Sequence, residues 1–163
     1  VSKSFAMTGW RLGYIGAPEW IAKACTKIQG QFTSGASSIS QRAALAAVSS
    51  SPNVILPMKE AFLERRNFML KELRNIKGIK INEPKGAFYL FPDVSELFGQ
   101  HFDGKTVNNA DDLCLFLLEE AKVALVTGNA FGSPNCIRIS YAASMEQLKE
   151  AVYRIKSAIS QLN

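Results

Sequence analysis

From Val48 onward the hydrophobic pattern of this 163-residue chain switches repeatedly between a helical and an extended period. That switching restricts the architecture more than any other feature. Pro52 and Pro57 frame the entry to a long helix predicted to run to about Ile76, with Met58, Phe62, Met69, Leu73 and Ile76 at near-helical spacing. Gly78 is the expected stop. Two strands are expected next, "IKIN" at 79–82 and "AFYLF" at 87–91, joined by the turn "EPKG". A polar loop, "GQHFDGKTVNN", leads into a helix over "ADDLCLFLLEEA". The strand "VALVT", the glycine-bearing loop "GNAFGSPN" and the strand "CIRISY" follow. The last helix sets Leu148, Val152, Ile155, Ile159 and Leu162 on one stripe, with Lys149, Glu150, Arg154 and Lys156 opposite. The order helix, two strands, helix, two strands, helix predicts a compact α+β unit over 48–163, with a mostly antiparallel or mixed sheet covered by helices.

Residues 1–47 read differently. "LGYIGA" at 12–17 is an expected strand, and Pro18 opens an expected helix, "PEWIAKACTKIQ", proline being welcome in a first helical turn. The loop "GQFTSGASS" and the helix "ISQRAALAAV" complete the segment. These elements bring no sheet of their own to pack on. The expectation is a piece of a second domain, and therefore a chain that is part of a longer protein.

Composition removes several function classes. Hydrophobic residues make up 47% and charged residues 20%, enough for a core and without a disorder signature. The net charge of +5 would suit a polyanion, yet the cations are scattered among 14 acidic residues. The basic doublet Arg65-Arg66 lies within a helical pattern, as a solvated face would, and no aromatic and basic interleaving suggests a nucleic-acid reader. Cys25, Cys114 and Cys136 are odd in number, far apart and in apolar surroundings, so they are expected to be buried thiols in a reducing compartment. His101 is the only histidine, which leaves no histidine metal cluster. With no signal-peptide pattern and no apolar run of membrane-spanning length, a soluble cytoplasmic protein is expected.

The chain opens "VSKSFAMTGWRLGY", with Lys3 eight residues before Arg11 among glycines and small residues. This is unusual company for a surface charge run. The stretch resembles the lysine region of fold-type I pyridoxal-phosphate enzymes, in particular the class I/II aminotransferases of the aspartate aminotransferase group. Three later stretches, "PKGAFYLFPDVS", "VALVTGNAFG" and "IRISYAAS", resemble the same family in the same order. Thr127 departs from it, standing where relatives often carry proline before the glycine.

The resemblance implies that 1–47 is the C-terminal remnant of a large cofactor-binding domain and 48–163 the small C-terminal domain. It implies pyridoxal 5'-phosphate as cofactor, with Lys3 as the amine that forms the aldimine and moves a proton at the substrate α-carbon. Arg11 would grip the cofactor phosphate, for which a guanidinium fork is suited, and Ser2 would touch it. Arg138 alternates with Ile137 and Ile139, so its side chain faces away from theirs. By resemblance it binds the substrate α-carboxylate, while Gly86 and Phe88 lie at the mouth of the site. Gln31 to Ser34 would form a loop reaching the neighbouring subunit of a homodimer. Asp93 reads as a turn residue, and Asp111-Asp112 as charges at a helix N-terminus.

The implied activity is ping-pong transfer of an amino group from an L-amino acid, aspartate foremost, to a 2-oxo acid such as 2-oxoglutarate. The 163-residue chain alone is expected to be inactive. Aromatic, prephenate or alanine aminotransferases and a carbon–sulfur lyase of the same fold stay open. From another class, so does a non-catalytic α+β dimerisation or binding domain.

Overall fold

A computed structural model describes residues 1–163, which form two compact units, Val1–Lys59 and Glu60–Asn163. In the first unit a 3₁₀ turn at Thr8–Trp10 precedes helices α1 (Glu19–Phe32) and α2 (Ser38–Ser49). Pro18 is the residue before α1, and its carbonyl accepts from the Ile21 and Ala22 amides. Residues 12–17 belong to no strand, contrary to expectation. A strand persists only where its amides find a ladder partner, and no segment pairs with this one. The loop expected from Gly30 also starts later. Gly30, Gln31 and Phe32 are helical, and Ser34 at φ 61° makes the turn. No residue of α1 is buried, and that corrects the reading of Cys25, which is exposed.

The second unit is built on three antiparallel strands in the order β1 (Tyr89–Leu90), β5 (Ile137–Ser140), β4 (Val126–Thr127). Tyr89 lies opposite Ser140 and Leu90 opposite Ile139, while Val126 faces Arg138 and Thr127 faces Ile137. Helices α3 (Leu56–Arg74), α4 (Ala110–Glu120) and α5 (Met145–Ile159) supply the rest of the core. Met69, Leu73, Leu113, Leu117, Leu148, Val152 and Ile155 pack in one cluster with Leu90, Ile137 and Ile139. The stripe read along the last helix is its buried face, and a capping box fixes its start. Ser144 Oγ accepts from the Gln147 amide and Gln147 Oε1 from the Ser144 amide. No helix is long and apolar enough to cross a membrane.

Three local expectations change. α3 ends at Arg74, because the Asn75 and Ile76 amides turn to carbonyls three residues back. Gly78, at φ 87°, follows that turn, and a Cβ there would meet Leu97 Cδ2 at 2.4 Å. Segment 79–82 does not form a hairpin with 87–91. Instead Lys80 exchanges both backbone bonds with Asp93, at 2.9 Å each. Arg66 holds the intervening turn by its bonds to the Pro84 carbonyl and the Glu83 carboxylate. The stretch taken as a polar loop contains a hairpin, β2 (His101–Phe102) and β3 (Lys105–Thr106). Asp103 and Gly104 both have positive φ, as a tight two-residue hairpin turn requires.

After β4 the chain enters a 3₁₀ turn, Gly128–Phe131, ended by Gly132 at φ 75°. The Gly128 amide donates to the Cys136 carbonyl at 2.7 Å, and its own carbonyl accepts from the Ser133 amide at 3.0 Å. A Cβ at position 128 would stand 2.1 Å from the Ser133 oxygen and 2.4 Å from that of Cys136. Both obstacles are backbone and cannot rotate away. Gly128→Ala is expected to cost roughly 3 kcal/mol, read as a lower urea midpoint with the m-value unchanged.

Candidate active site

Thr8 organises the opening segment. Its hydroxyl donates to the Ser2 carbonyl at 2.9 Å, and its carbonyl accepts from the Arg11 guanidinium at 3.0 Å. Ala6 and Arg11 take left-handed backbone conformations, φ 52° and 50°, which fold the segment back on itself. The Ala6 amide donates to the Lys3 carbonyl. Ser2, Lys3 and Arg11 are thereby held on one short folded segment, with Lys3 and Arg11 exposed to solvent and Ser2 half-buried. Met7, in the same segment, is buried.

In the second unit the site residues follow from the sheet. Ile137 and Ile139 point into the core, and Arg138 between them turns to the other face. Tyr89 stands opposite Ser140, so it is the diagonal neighbour of Arg138 on that same face, within reach of a long side chain. The Arg138 guanidinium carbon lies 4.5 Å from the Tyr89 ring centre and 4.6 Å from that of Phe131. Both rings also touch a further ring. Tyr89 packs on Phe88 at 4.4 Å, and Phe131 meets Phe91 edge-on at 6.0 Å. No carboxylate of the chain pairs with Arg138.

Phe88 is half-buried and leans toward the core, 6.1 Å from the Phe62 ring. Gly86 is exposed, with open space where a Cβ would stand. Between them Ala87 sits at φ 61°, and its carbonyl accepts from the Tyr141 hydroxyl at 2.9 Å. Burial raises the Tyr141 phenol above its ordinary value, against a smaller lowering by Arg66. The Phe88 carbonyl accepts from the Tyr141 amide, so one residue secures both ends of this turn.

Asp93 closes an Asx turn onto the Ser95 amide and hydroxyl, bonds that hold its carboxyl below the usual value. Asp111 and Asp112 sit in the first turn of α4, where Asn109 is the cap. Burial, with help from Asp111, pushes the Cys114 thiol up to about 11. Sequence reasoning missed Phe131 entirely and left Tyr89 as core. The register of β1 against β5 identifies Tyr89, but no periodic signal marks Phe131.

Residues 1–155 match the family described as aminotransferase class I and II, and the chain belongs to that family. It is 54% identical to the bifunctional aspartate aminotransferase and glutamate/aspartate-prephenate aminotransferase of Petunia hybrida, covering 97% of this chain and 34% of that protein. It is 44% identical to an aspartate aminotransferase of Streptomyces avermitilis, with 99% of this chain and 40% of the relative covered. The crystal structure of the aspartate aminotransferase from Rhizobium meliloti superposes with a TM-score of 0.96 at 42% identity, over 99% of this chain and 41% of that one. An aromatic aminotransferase from Pyrococcus horikoshii gives 0.88 at 34% identity, over 98% and 41%. The mixed helix-and-sheet architecture is thus that of the fold-type I aminotransferases. The chain spans about a third to two fifths of the length of these relatives.

Removing the Tyr141 hydroxyl leaves the Ala87 carbonyl without its partner. Tyr141→Phe should lower stability by roughly 1–2 kcal/mol. Urea unfolding should show this as a lower midpoint, and an unchanged midpoint would mean that water replaces the bond.

Proposed function

We propose that this chain serves in pyridoxal-phosphate-dependent transfer of an amino group from an L-amino acid, aspartate foremost, to a 2-oxo acid such as 2-oxoglutarate. The observation that carries the reading is Arg138, a guanidinium fixed by aromatic rings and left without an acidic partner in the chain. Such a group is suited to a bidentate pair with the α-carboxylate that all amino-acid and 2-oxo-acid substrates share. Family membership and relatives named aspartate aminotransferase support it.

The opening segment suits the cofactor by its donor set. Arg11 spends one side-chain bond on the Thr8 carbonyl and is otherwise exposed, so its fork can take a phosphate monoester. Ser2 would contribute beside it, and Lys3 brings the primary amine that an aldehyde requires. When bound, pyridoxal phosphate supplies the electron sink for the α-carbon. Lys3 Nζ would take the proton from the α-carbon of the amino donor and, in the second half-reaction, supply one to the α-carbon of the acceptor. Exchange is ping-pong because the donor's 2-oxo acid leaves before the acceptor binds. Arg138 orients the substrate by its carboxylate, and Gly86 and Phe88 line the approach. In this reading 1–47 belongs to the large cofactor-binding domain and 48–163 is the small C-terminal domain.

A cytoplasmic homodimer fits three unpaired thiols and the apolar side chains, among them Trp20, Phe32 and Ile39, that the first unit exposes. Thr33 and Ser34, beyond the end of α1, would face the neighbouring subunit. A second reading, in which prephenate is also an acceptor, is favoured by the names of the Petunia hybrida relative and of an aspartate/prephenate aminotransferase 44% identical to this chain.

Borohydride treatment of the cofactor-loaded enzyme should leave a pyridoxyl group on the peptide containing Lys3. A label on another lysine, with Lys3 unmodified, removes the basis of the assignment. Arg138→Ala should lower kcat/KM for every amino donor alike, by the equivalent of roughly 2–5 kcal/mol, while cofactor absorbance persists. An effect confined to one donor would mean that Arg138 reads a side chain.

A further inference from the structure

We propose that Tyr89 and Phe131 are positioning residues for Arg138: together they fix the plane of its guanidinium while leaving its N–H edge open to a carboxylate. The inference rests on the carboxylate-binding reading of Arg138 and goes beyond it, to what makes this arginine competent.

A long arginine side chain loses rotamer freedom when its fork is fixed. A bidentate pair therefore gains strength when the fork is already in place. Two devices can hold it. Acceptors such as carboxylates and carbonyls do so by occupying the N–H donors, whereas aromatic rings engage the π face and leave those donors available. Arg66 and Arg138 in the second unit illustrate the two. Arg66 is held by acceptors: the Glu83 carboxylate at 3.2 Å, the Pro84 carbonyl at 3.1 Å and the Asn67 side chain at 2.9 Å. Its donors are spent on structure. Arg138 has rings instead of acceptors, at 4.5 and 4.6 Å.

Both rings are themselves anchored. Tyr89 is fixed by the pairing of β1 with β5 and by Phe88. Phe131 ends the 3₁₀ turn that Gly128 locks through the Ser133 amide and the Cys136 carbonyl, and Phe91 supports its edge. Phe131 is nonetheless 48% exposed, so filling the core does not account for it. The series Phe88, Tyr89, Arg138, Phe131, Phe91 places the cation as the shared member of two aromatic pairs.

In the cofactor-loaded enzyme, Phe131→Leu and Tyr89→Leu should each raise KM for amino donors and 2-oxo acids by about threefold to thirtyfold. KM should rise more than kcat falls, because the pair acts on a group common to bound substrate and transition state. Phe131→Tyr and Tyr89→Phe, which keep the rings, should retain wild-type KM. In the cofactor-free protein, phenylglyoxal should modify Arg138 faster in the leucine variants, and succinate should protect it less. Met in place of Leu serves where a leucine variant does not fold. Arg138→Ala, assayed in parallel, separates the two ideas. If it leaves carboxylate binding intact, the reading of Arg138 fails. If it removes binding while the leucine variants keep wild-type KM and phenylglyoxal rates, positioning by the rings is overturned. Tyrosine at 131 behaving like leucine also overturns it, since the ring would then not be the active feature.

Discussion

The second unit depends on the hydrogen bonding of one four-residue strand. β5 is paired on both sides, with β1 and with β4, and it is the only strand so placed. Ile137 and Ile139 deliver its inner face to the cluster formed by α3, α4 and α5. With those two positions inside, the pleat leaves Arg138 only the outer face. The same register brings Tyr89 diagonal to it and makes Val126 its directly opposite neighbour. A slip of one residue would exchange isoleucine for arginine in the core, at a cost that burial of an unpaired charge makes prohibitive. Core packing and the candidate carboxylate site are thus two faces of one pairing.

The features legible in the sequence are those carried by local periodicity. The stripes of α3 and α5, the alternation around Arg138 and the motif around Lys3 all lie within a few residues of one another in the chain. Pairing across long separations was not legible. Segment 79–82 stands next to a turn and then 87–91, which suggests a hairpin, yet Lys80 bonds Asp93 and β1 bonds β5, some fifty residues away. Phe131 carries no pattern, because its direction comes from a turn shaped by backbone bonds. The hairpin at His101–Thr106 is a different kind of miss. Its Asp-Gly pair is a known turn signal, but strands of two residues are too short to alternate visibly.

The opening segment illustrates a further limit. Lys3 and Arg11 stood out by residue type, whereas Thr8 emerges only from geometry, as the group whose hydroxyl and carbonyl tie Ser2 to Arg11. The cysteines show the converse. Their neighbours in the chain are apolar, which suggested burial, but burial is a property of packing. Cys114 on α4 is half-buried while Cys25 on α1 is exposed, because α1 buries none of its residues.

That same unburied helix bears on how copies of the chain behave in solution. Trp20, Ile28, Phe32, Ile39 and Leu45 are exposed within the first unit, while the whole chain carries a net charge of +5. Like charge keeps copies apart and apolar contact draws them together, so the balance depends on ionic strength. At physiological salt the screening length shrinks to about 8 Å, and the repulsion fades while the apolar attraction does not. The colloidal second virial coefficient of this chain should accordingly fall toward attraction as salt is added, with the interaction centred on α1 and α2.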